Sequence, residues 1–366
     1  MKIAIIAHSL HPVKEPFEGG LEMITFLLCE SLLNLGLIVH LYAHKNSDTR
    51  FIVHPLGDET AITSSLDAQA SSVDLSLLGN PSEVFAYTKA MMEIAQAGYD
   101  IVHNHSLHYI PIILGNKLKI PMITSIHTPQ FEFLKLGARL VKANCNQTFT
   151  MVSKSLAHTW ENCIPKATVV YNGINIATWD YVAAPTGNYV FWYGRICPEK
   201  GTDAAIKGAL ASGVPIVLAG PISNKTYFET SVVPYLNNDN VRYVGHKSQK
   251  ELAPLLQNAK AFPFTSTWDE PYGLTLAESL ACGTPVVAFE GGATGEILTP
   301  KCGIIVPKGA IFELATAITK ASNLDRSECR ERAVSFCSHK GMVEEYMQLY
   351  TSLIQDPASQ MLRKIS

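Results

Sequence analysis

Glu270 and Glu278 begin and end the string Glu-Pro-Tyr-Gly-Leu-Thr-Leu-Ala-Glu, which continues as Ser-Leu-Ala-Cys-Gly-Thr-Pro-Val-Val. Gly273 lets the backbone pass close to a ligand, and the apolar spacing after it opens a helix whose first N–H groups have no partner within the helix. A helix start of this kind attracts phosphate, and a carboxylate beside it accepts hydrogen bonds from sugar or ribose hydroxyls. A second string, Tyr193-Gly194-Arg195-Ile-Cys-Pro-Glu-Lys200-Gly201, follows an apolar run and also opens a helix. Two cations there suit the concentrated charge of a diphosphate. The string is not a P-loop, because the order is Lys-Gly and the glycine spacing differs. In the N-terminal half, Gly19 and Gly20 open a helix behind a long loop carrying His8, His11, Lys14 and Glu15. His127, in Ser-Ile-His-Thr-Pro, stands just past an apolar strand, where open α/β sheets place ligand groups. Each string taken alone also fits an ordinary loop-to-helix junction.

The histidines His103, His105 and His108 have the composition of a metal site but no acidic or cysteine partner at ligand spacing, so no metal is expected there. No Asp-x-Asp occurs, and no Gly-x-Gly-x-x-Gly follows a strand, which speaks against a nicotinamide enzyme. Fixed cations and helix starts must then neutralise any leaving diphosphate.

Taken whole, the Glu270–Val287 string resembles the E-x7-E signature of the retaining glycosyltransferases of family 4, the glycosyl transferases group 1, which have the GT-B fold. The resemblance extends to Gly-Arg and Lys-Gly in the second string, to Gly-Gly-x-Glu at Gly19–Glu22, to His-Thr at His127, and to softer matches at Tyr171–Asn175 and Gly291–Glu296. It implies a donor sugar contacted by Glu270 and His127, a ribose held by Glu278, and a diphosphate gripped by Arg195 and Lys200. Gly19, Gly20, Gly194, Gly273, Leu274 and Thr275 complete the implied donor site. The implied activity is transfer of a sugar from a nucleotide-diphosphate sugar, expected to be a UDP-sugar, with retention and without a metal or other cofactor. The acceptor, whether small molecule, glycan or lipid-linked, matches nothing informative in the loops at Pro12–Phe17, Asn46–Ser76 and Gln130–Lys142. Two other readings share the scaffold: a non-hydrolysing sugar-nucleotide epimerase, and a non-catalytic sugar-nucleotide-binding paralogue.

The elements that must carry these groups alternate. Ile3–Ala7, Ile38–Tyr42, Ile101–Val102, Met122–Ile126 and Val169–Tyr171 read as buried strands, with helices such as Gly20–Leu35 between them. The series restarts with strands at Tyr189–Tyr193, Ile216–Ala219, Val241–Val244, Ala261–Pro263 and Pro285–Phe289, and helices at Lys200–Ser212 and Gln249–Gln257. This predicts an α/β chain of two Rossmann-like, doubly wound parallel-sheet domains facing a cleft. The expected domains are an acceptor domain over 1–183 and a donor domain over 184–340, with Ala183–Gly187 as linker. A C-terminal helix in 341–366 is expected to cross back to the first.

With 366 residues, 47% hydrophobic and 17% charged, the chain has material for two cores. Its net charge of -3 lacks the footprint of a nucleic-acid binder, and the N-terminal half is mildly acidic. No apolar run reaches the roughly 18 residues that span a bilayer. Eight scattered cysteines without a Cys-x-x-Cys, and no targeting segment, lead to the expectation of a reducing cytoplasm.

Overall fold

A computed structural model describes residues 1–57, 80–142, 145–164 and 166–356. Part of the Asn46–Ser76 loop and the last residues of 341–366 therefore lie outside the described residues. The chain divides into two compact units: one of Met1–Val152, Leu156–Val170 and the stretch from Met342, the other of Ser153–Ser155 and Tyr171–Gly341.

The first unit is built on one seven-stranded parallel sheet: β1 (Lys2–Ile6), β2 (Ile38–Ala43), β3 (Ile52–Pro55), β4 (Ile101–Asn104), β5 (Met122–Ile126), β6 (Gln147–Met151) and β7 (Ala167–Val169). They lie in the order β3-β2-β1-β4-β5-β6-β7, with every pairing parallel. The direction of winding reverses between β1 and β4, as in doubly wound sheets. β1 past Lys2 is a buried apolar run and β5 is buried at every position, its Thr124 and Ser125 included, as strands covered by helices on both faces are. Ala4, Ile6, Val102 and Met122 pack against Ala86, Tyr87, Ala90 and Ile94 of the helix Pro81–Gln96. That helix starts where Asn80 caps the Ser82 N–H and Pro81 occupies its first turn. β3 and β6 escape the apolar-run criterion because β3 is half exposed and β6 opens on Gln147-Thr148. From Met342 the helix His339–Gln355 belongs to this unit. Its Tyr346 hydroxyl lies 2.9 Å from Ser125 Oγ, and its Tyr350 hydroxyl 2.6 Å from His103 Nδ1.

The second unit repeats the scheme. β8 (Val190–Tyr193), β9 (Ile216–Ala219) and β10 (Val241–Tyr243) form one parallel sheet in the order β10-β9-β8. β11 (Phe262–Phe264), β12 (Val286–Phe289) and β13 (Gly303–Val306) form another. The two adjoin where Lys260 N–H donates to Tyr189 O at 2.8 Å and Phe191 N–H to Ala261 O at 3.1 Å. Val190, Trp192, Leu218, Val287 and Phe289 share a core with Ala205 and Ala209 of the helix Thr202–Ser212 and Leu314 and Ile318 of the helix Ile311–Ala321. Each large apolar side chain so buried contributes about 1.5–3 kcal/mol.

Two expectations need correction. The first unit ends at Val170 rather than 183, because the segment after it is fastened to the second unit. Ile174 N–H donates to Cys337 O at 2.8 Å, Val182 N–H to Cys282 O at 3.4 Å, and Gly187 N–H to Asn258 O at 3.1 Å. Ala183–Gly187 is thus a surface segment of the second unit. Lys200 also lies outside the helix predicted to begin with it. It ends a short turn, Pro198–Lys200, and Gly201 in the left-handed region (φ 63°) separates that turn from the helix Thr202–Ser212.

Arg326 is the tie that holds this segment. Its buried guanidinium donates to Val182 O (2.7 Å), Gln257 O (2.6 Å), Ala259 O (3.0 Å), Cys282 O (3.2 Å) and Thr284 Oγ1 (3.0 Å). No carboxylate is among these partners, so the charge is solvated entirely by dipoles. Arg326→Met leaves several buried carbonyls without a donor and is expected to destabilise the second unit by about 3 kcal/mol. Denaturant unfolding followed by tryptophan fluorescence checks this; a variant unfolding at the wild-type midpoint would sink the assignment.

Candidate active site

The expected donor groups of the second unit gather at the carboxyl ends of β8 and β11. Gly201 has no side chain because none fits: a Cβ there would stand 2.1 Å from Thr265 O. The Thr265 hydroxyl in turn donates to Gly201 O at 2.8 Å. This backbone contact brings the turn carrying Lys200 against the loop Thr265–Glu270. Lys200 Nζ donates to Glu270 Oε1, and Ser266 Oγ donates to the same oxygen at 3.1 Å. Lys200 Nζ also stands 5.7 Å above the Trp268 ring. From the other side, Gly292 (φ 51°) presses on the loop, since a Cβ there would meet Glu270 O at 2.1 Å, and Ala293 N–H donates to that oxygen at 3.1 Å.

The recess beside this ion pair is lined by Tyr193, Gly194, Lys200, Thr265, Ser266 and Thr275, with Trp192, Phe262 and Phe264 as its apolar wall. Thr275 belongs to the helix Leu274–Ala281, whose N-cap is Gly273 in the left-handed region (φ 93°) with no side-chain cap. A positive helix end and an ammonium group therefore open onto one small space, a combination that binds a polyanion. Leu274 and Thr275 are half-buried at that helix start.

Glu278 lies deeper in the same helix, 4% exposed, and takes a hydrogen bond from the Tyr193 hydroxyl. Burial pushes its carboxyl up to about 7; the hydrogen bonds from Tyr193 and Gln249 only partly offset this. Near neutral pH it exists in both protonation states. Arg195 is the exception among the expected grips. It is half exposed, its guanidinium 3.9 Å from the Glu199 carboxylate, and it lies outside the lining of the recess. Glu296, in the string that resembles the family's glycine loop, has a structural task. Its carboxylate accepts from Lys154 N–H (2.9 Å), Ser155 N–H (2.8 Å) and the Tyr171 hydroxyl (2.7 Å).

In the first unit His127 stands just past β5. Its Nε2 is 3.1 Å from His105 Nδ1, and the two rings stack at 5.0 Å. His103 is held on both nitrogens, by Tyr350 and by Ser125 Oγ at 2.6 Å, and its ring lies 4.2 Å from that of His105. Burial lowers His127 to about 4 and holds His103 and His105 well below the ordinary imidazole value. All three are neutral at pH 7, so the stack works through hydrogen bonds rather than charge. Among the described residues no group of three metal-ligating side chains converges. Gly19, extended (φ -157°), caps the helix Gly20–Asn34, and a Cβ on it would meet Glu22 Oε2 at 3.0 Å.

Ser266, Trp268 and Tyr193 join the site without having been singled out. All lie at the carboxyl ends of β8 and β11, and that position in a parallel sheet is the signal that finds them.

The chain is matched over residues 18–178 by the family model "Glycosyltransferase Family 4" and over 176–335 by "Glycosyl transferases group 1". An uncharacterized glycosyltransferase of Methanocaldococcus jannaschii is 29% identical over 225 residues, which is 58% of this chain and 62%, less than two thirds, of that protein. A glycogen synthase of Mycobacterium tuberculosis is 24% identical, covering 87% of this chain and 85% of its own. Among solved structures, a glycosyltransferase involved in avilamycin A biosynthesis superposes with a TM-score of 0.70 at 22% identity, over 96% of this chain and 98% of that one. HepE of Anabaena in complex with UDP superposes with a TM-score of 0.75 at 17% identity, over 96% and 100%.

The raised Glu278 has a consequence for stability. Its folded value of about 7 lies above the ordinary 4.5, so the stabilisation is full below about 4.5 and is lost as pH rises toward 7. Glu278→Gln preserves the neutral form at all pH. It is expected to match the wild type at pH 4.5 and to exceed it by about 3 kcal/mol at pH 8. Thermal unfolding of both proteins at the two pH values measures this; a difference independent of pH would show that Glu278 is not held protonated by burial.

Proposed function

Since the chain belongs to the GT-B glycosyltransferases of group 1 and family 4 type, transferases that draw on nucleotide-sugar donors, we propose that it moves a sugar from a UDP-sugar to a hydroxyl acceptor, with retention and without a metal ion. The observation that carries the reading is Lys200, paired with Glu270, beside the uncapped start of the helix Leu274–Ala281 in one recess. The donor's diphosphate takes that space. Its charge grows as the bond to the sugar breaks, and the ammonium and helix end are already aimed at it, so they stabilise the transition state more than the ground state. Arg195, outside the recess, serves the entrance. Glu278 accepts the ribose hydroxyls, and Glu270 accepts those of the sugar. UDP bound to the HepE neighbour supports uridine as the base, and the eight free cysteines are consistent with a reducing, cytoplasmic setting.

Transfer with retention has two routes. In the front-face route the acceptor oxygen bonds to the anomeric carbon on the side from which the phosphate oxygen departs, and the acceptor's proton passes to that oxygen. The double-displacement route needs a carboxylate nucleophile, and in the second unit only Glu270 is placed for it. Its Oε1 is held by Lys200 and Ser266, which lowers its nucleophilicity. The front-face route is therefore the reading we adopt. His127 carries over from the resemblance as a neutral hydrogen-bonding group toward the sugar.

Lys200→Ala is expected to lower kcat by about 30- to 1,000-fold, equivalent to about 2–4 kcal/mol, while the affinity for free uridine changes little. Arg195→Ala is expected to cost about tenfold. Steady-state kinetics with a UDP-sugar, after a thermal-shift comparison of UDP-, GDP- and ADP-sugars, tests both. Wild-type turnover in Lys200→Ala overturns the diphosphate assignment. Loss of activity on chelation, with recovery on adding a divalent ion, overturns metal independence.

A further inference from the structure

Under the proposed function His127 meets the donor sugar as a neutral imidazole, which carries one ring hydrogen. The nitrogen that holds this hydrogen decides whether His127 donates or accepts there. One neighbour governs the choice. His127 Nε2 lies 3.1 Å from His105 Nδ1, and the ring has no other hydrogen bond among the described residues, so Nδ1 is the nitrogen left for a ligand. His105 is fixed from several sides. It follows β4, its N–H donates to Ile6 O at the end of β1 at 2.8 Å, and its side chain is fully buried. The His103 ring packs 4.2 Å away but gives it no hydrogen bond, because both His103 nitrogens are engaged, by the Tyr350 hydroxyl and by Ser125 Oγ. Ser125 Oγ is in turn shared with the Thr150 and Tyr346 hydroxyls, at 2.7 and 2.9 Å. His105 Nε2 is buried and has no hydrogen-bond partner among the described residues.

Two arrangements of neutral rings satisfy the contact between His127 and His105. In the first, His127 Nε2 holds the hydrogen and donates. His105 Nδ1 is then the acceptor, and the His105 hydrogen sits on Nε2, a buried N–H with nothing to receive it. In the second, His105 Nδ1 donates and its Nε2 is a bare acceptor nitrogen. His127, accepting at Nε2, then carries its own hydrogen on Nδ1. Among buried backbone groups an orphaned N–H is rarer than an acceptor short of a partner, and the same preference selects the second arrangement.

We propose that His105 is a positioning residue: it donates from Nδ1 to His127 Nε2 and so holds His127 in the tautomer that presents Nδ1–H to an oxygen of the donor sugar. The sugar contact rests on the glycosyltransferase reading, whereas the tautomer rests on the first unit alone. A neutral N–H suits that place. As the bond to phosphate breaks, the anomeric carbon gains positive charge, which a donor without net charge does not oppose. A hydroxyl that accepts from this N–H still has its own hydrogen to give to a carboxylate. Burial disfavours the charged form of both His105 and His127, which keeps the pair neutral at pH 7.

Long-range proton–nitrogen correlation NMR reads imidazole tautomers directly, here on the full-length chain with isotope-labelled histidine and with His127→Gln to assign the signals. The wild type at pH 7 is expected to show both His127 and His105 protonated on Nδ1. A His127 protonated on Nε2 overturns the proposal without any variant. His105→Asn and His105→Leu are of similar size, but only the amide can still donate from near the Nδ1 position. Turnover is read as UDP released from UDP-glucose, with water as the acceptor. His105→Asn is expected to keep kcat within about threefold, and His105→Leu to lower it by about 10- to 100-fold with little change in KM, the usual cost of losing a group that orients a ligand-contacting imidazole. In His105→Leu the NMR is also expected to show a mixture of His127 tautomers. A side chain that only fills space would treat leucine at least as well as asparagine, so equal turnover in the two folded variants overturns the proposal, as does an unchanged His127 tautomer in His105→Leu. Failure of the donor reading shows separately, as absence of both UDP release and a UDP-glucose thermal shift in the wild type, while the NMR still decides what His105 does.

Discussion

The second unit depends on two places where one stretch of backbone lies against another with no side chain between. Gly201 rests on Thr265 O, and Gly292 rests on the backbone of Glu270. Both glycines occupy the left-handed region, so a side chain there would meet steric refusal as well as strained dihedrals. These contacts clamp the loop after β11 between the turn after β8 and the loop after β12. Lys200 and Glu270 meet because that clamp allows nothing else. The ion pair is therefore held by close packing, and under the proposed function a preoriented cation needs no reorganisation when charge develops beside it.

Burial then sets the protonation states. In the second unit it raises Glu278 toward neutrality, so this carboxyl can exchange a proton for hydroxyl contacts near physiological pH. In the first unit it keeps the His103, His105 and His127 stack uncharged. The same desolvation moves the titration of acids and bases in opposite directions, and in both cases favours the neutral, hydrogen-bonding form. A largely buried charge pair, Lys200 with Glu270, lies beside the recess. Within each unit the scaffold is stiffened by side-chain ties. Arg326 gathers four carbonyls and a hydroxyl, and Tyr346 and Tyr350 bring the last described helix onto Ser125 and His103.

Fold class, the positions of most strands and the grouping of motifs were legible in the linear sequence, because their physics is local. A strand buried on both faces is mostly apolar along its length, as in Ile3–Ile6 and Val286–Phe289. A helix whose N-cap lies in the left-handed region favours a glycine there, as at Gly273. Such constraints act between neighbours in sequence, so spacing reveals them, and the apolar spacing after Gly273 located the helix Leu274–Ala281 before any coordinates.

Tertiary structure decided the rest. Lys200 and Glu270 are distant in sequence, and no spacing rule pairs them; two backbone contacts do. Arg195 reads like Lys200 in the sequence, yet it stands outside the recess, because the exposure of a side chain depends on every element around it. The unit boundary moved to Val170 because Ile174, Val182 and Gly187 found backbone partners far along the chain. Whether Glu278 and His127 carry charge is likewise set by desolvation, a sum over all surrounding atoms. Local sequence fixes which groups are supplied, whereas their pairing and protonation are set by the packing that removes water from them.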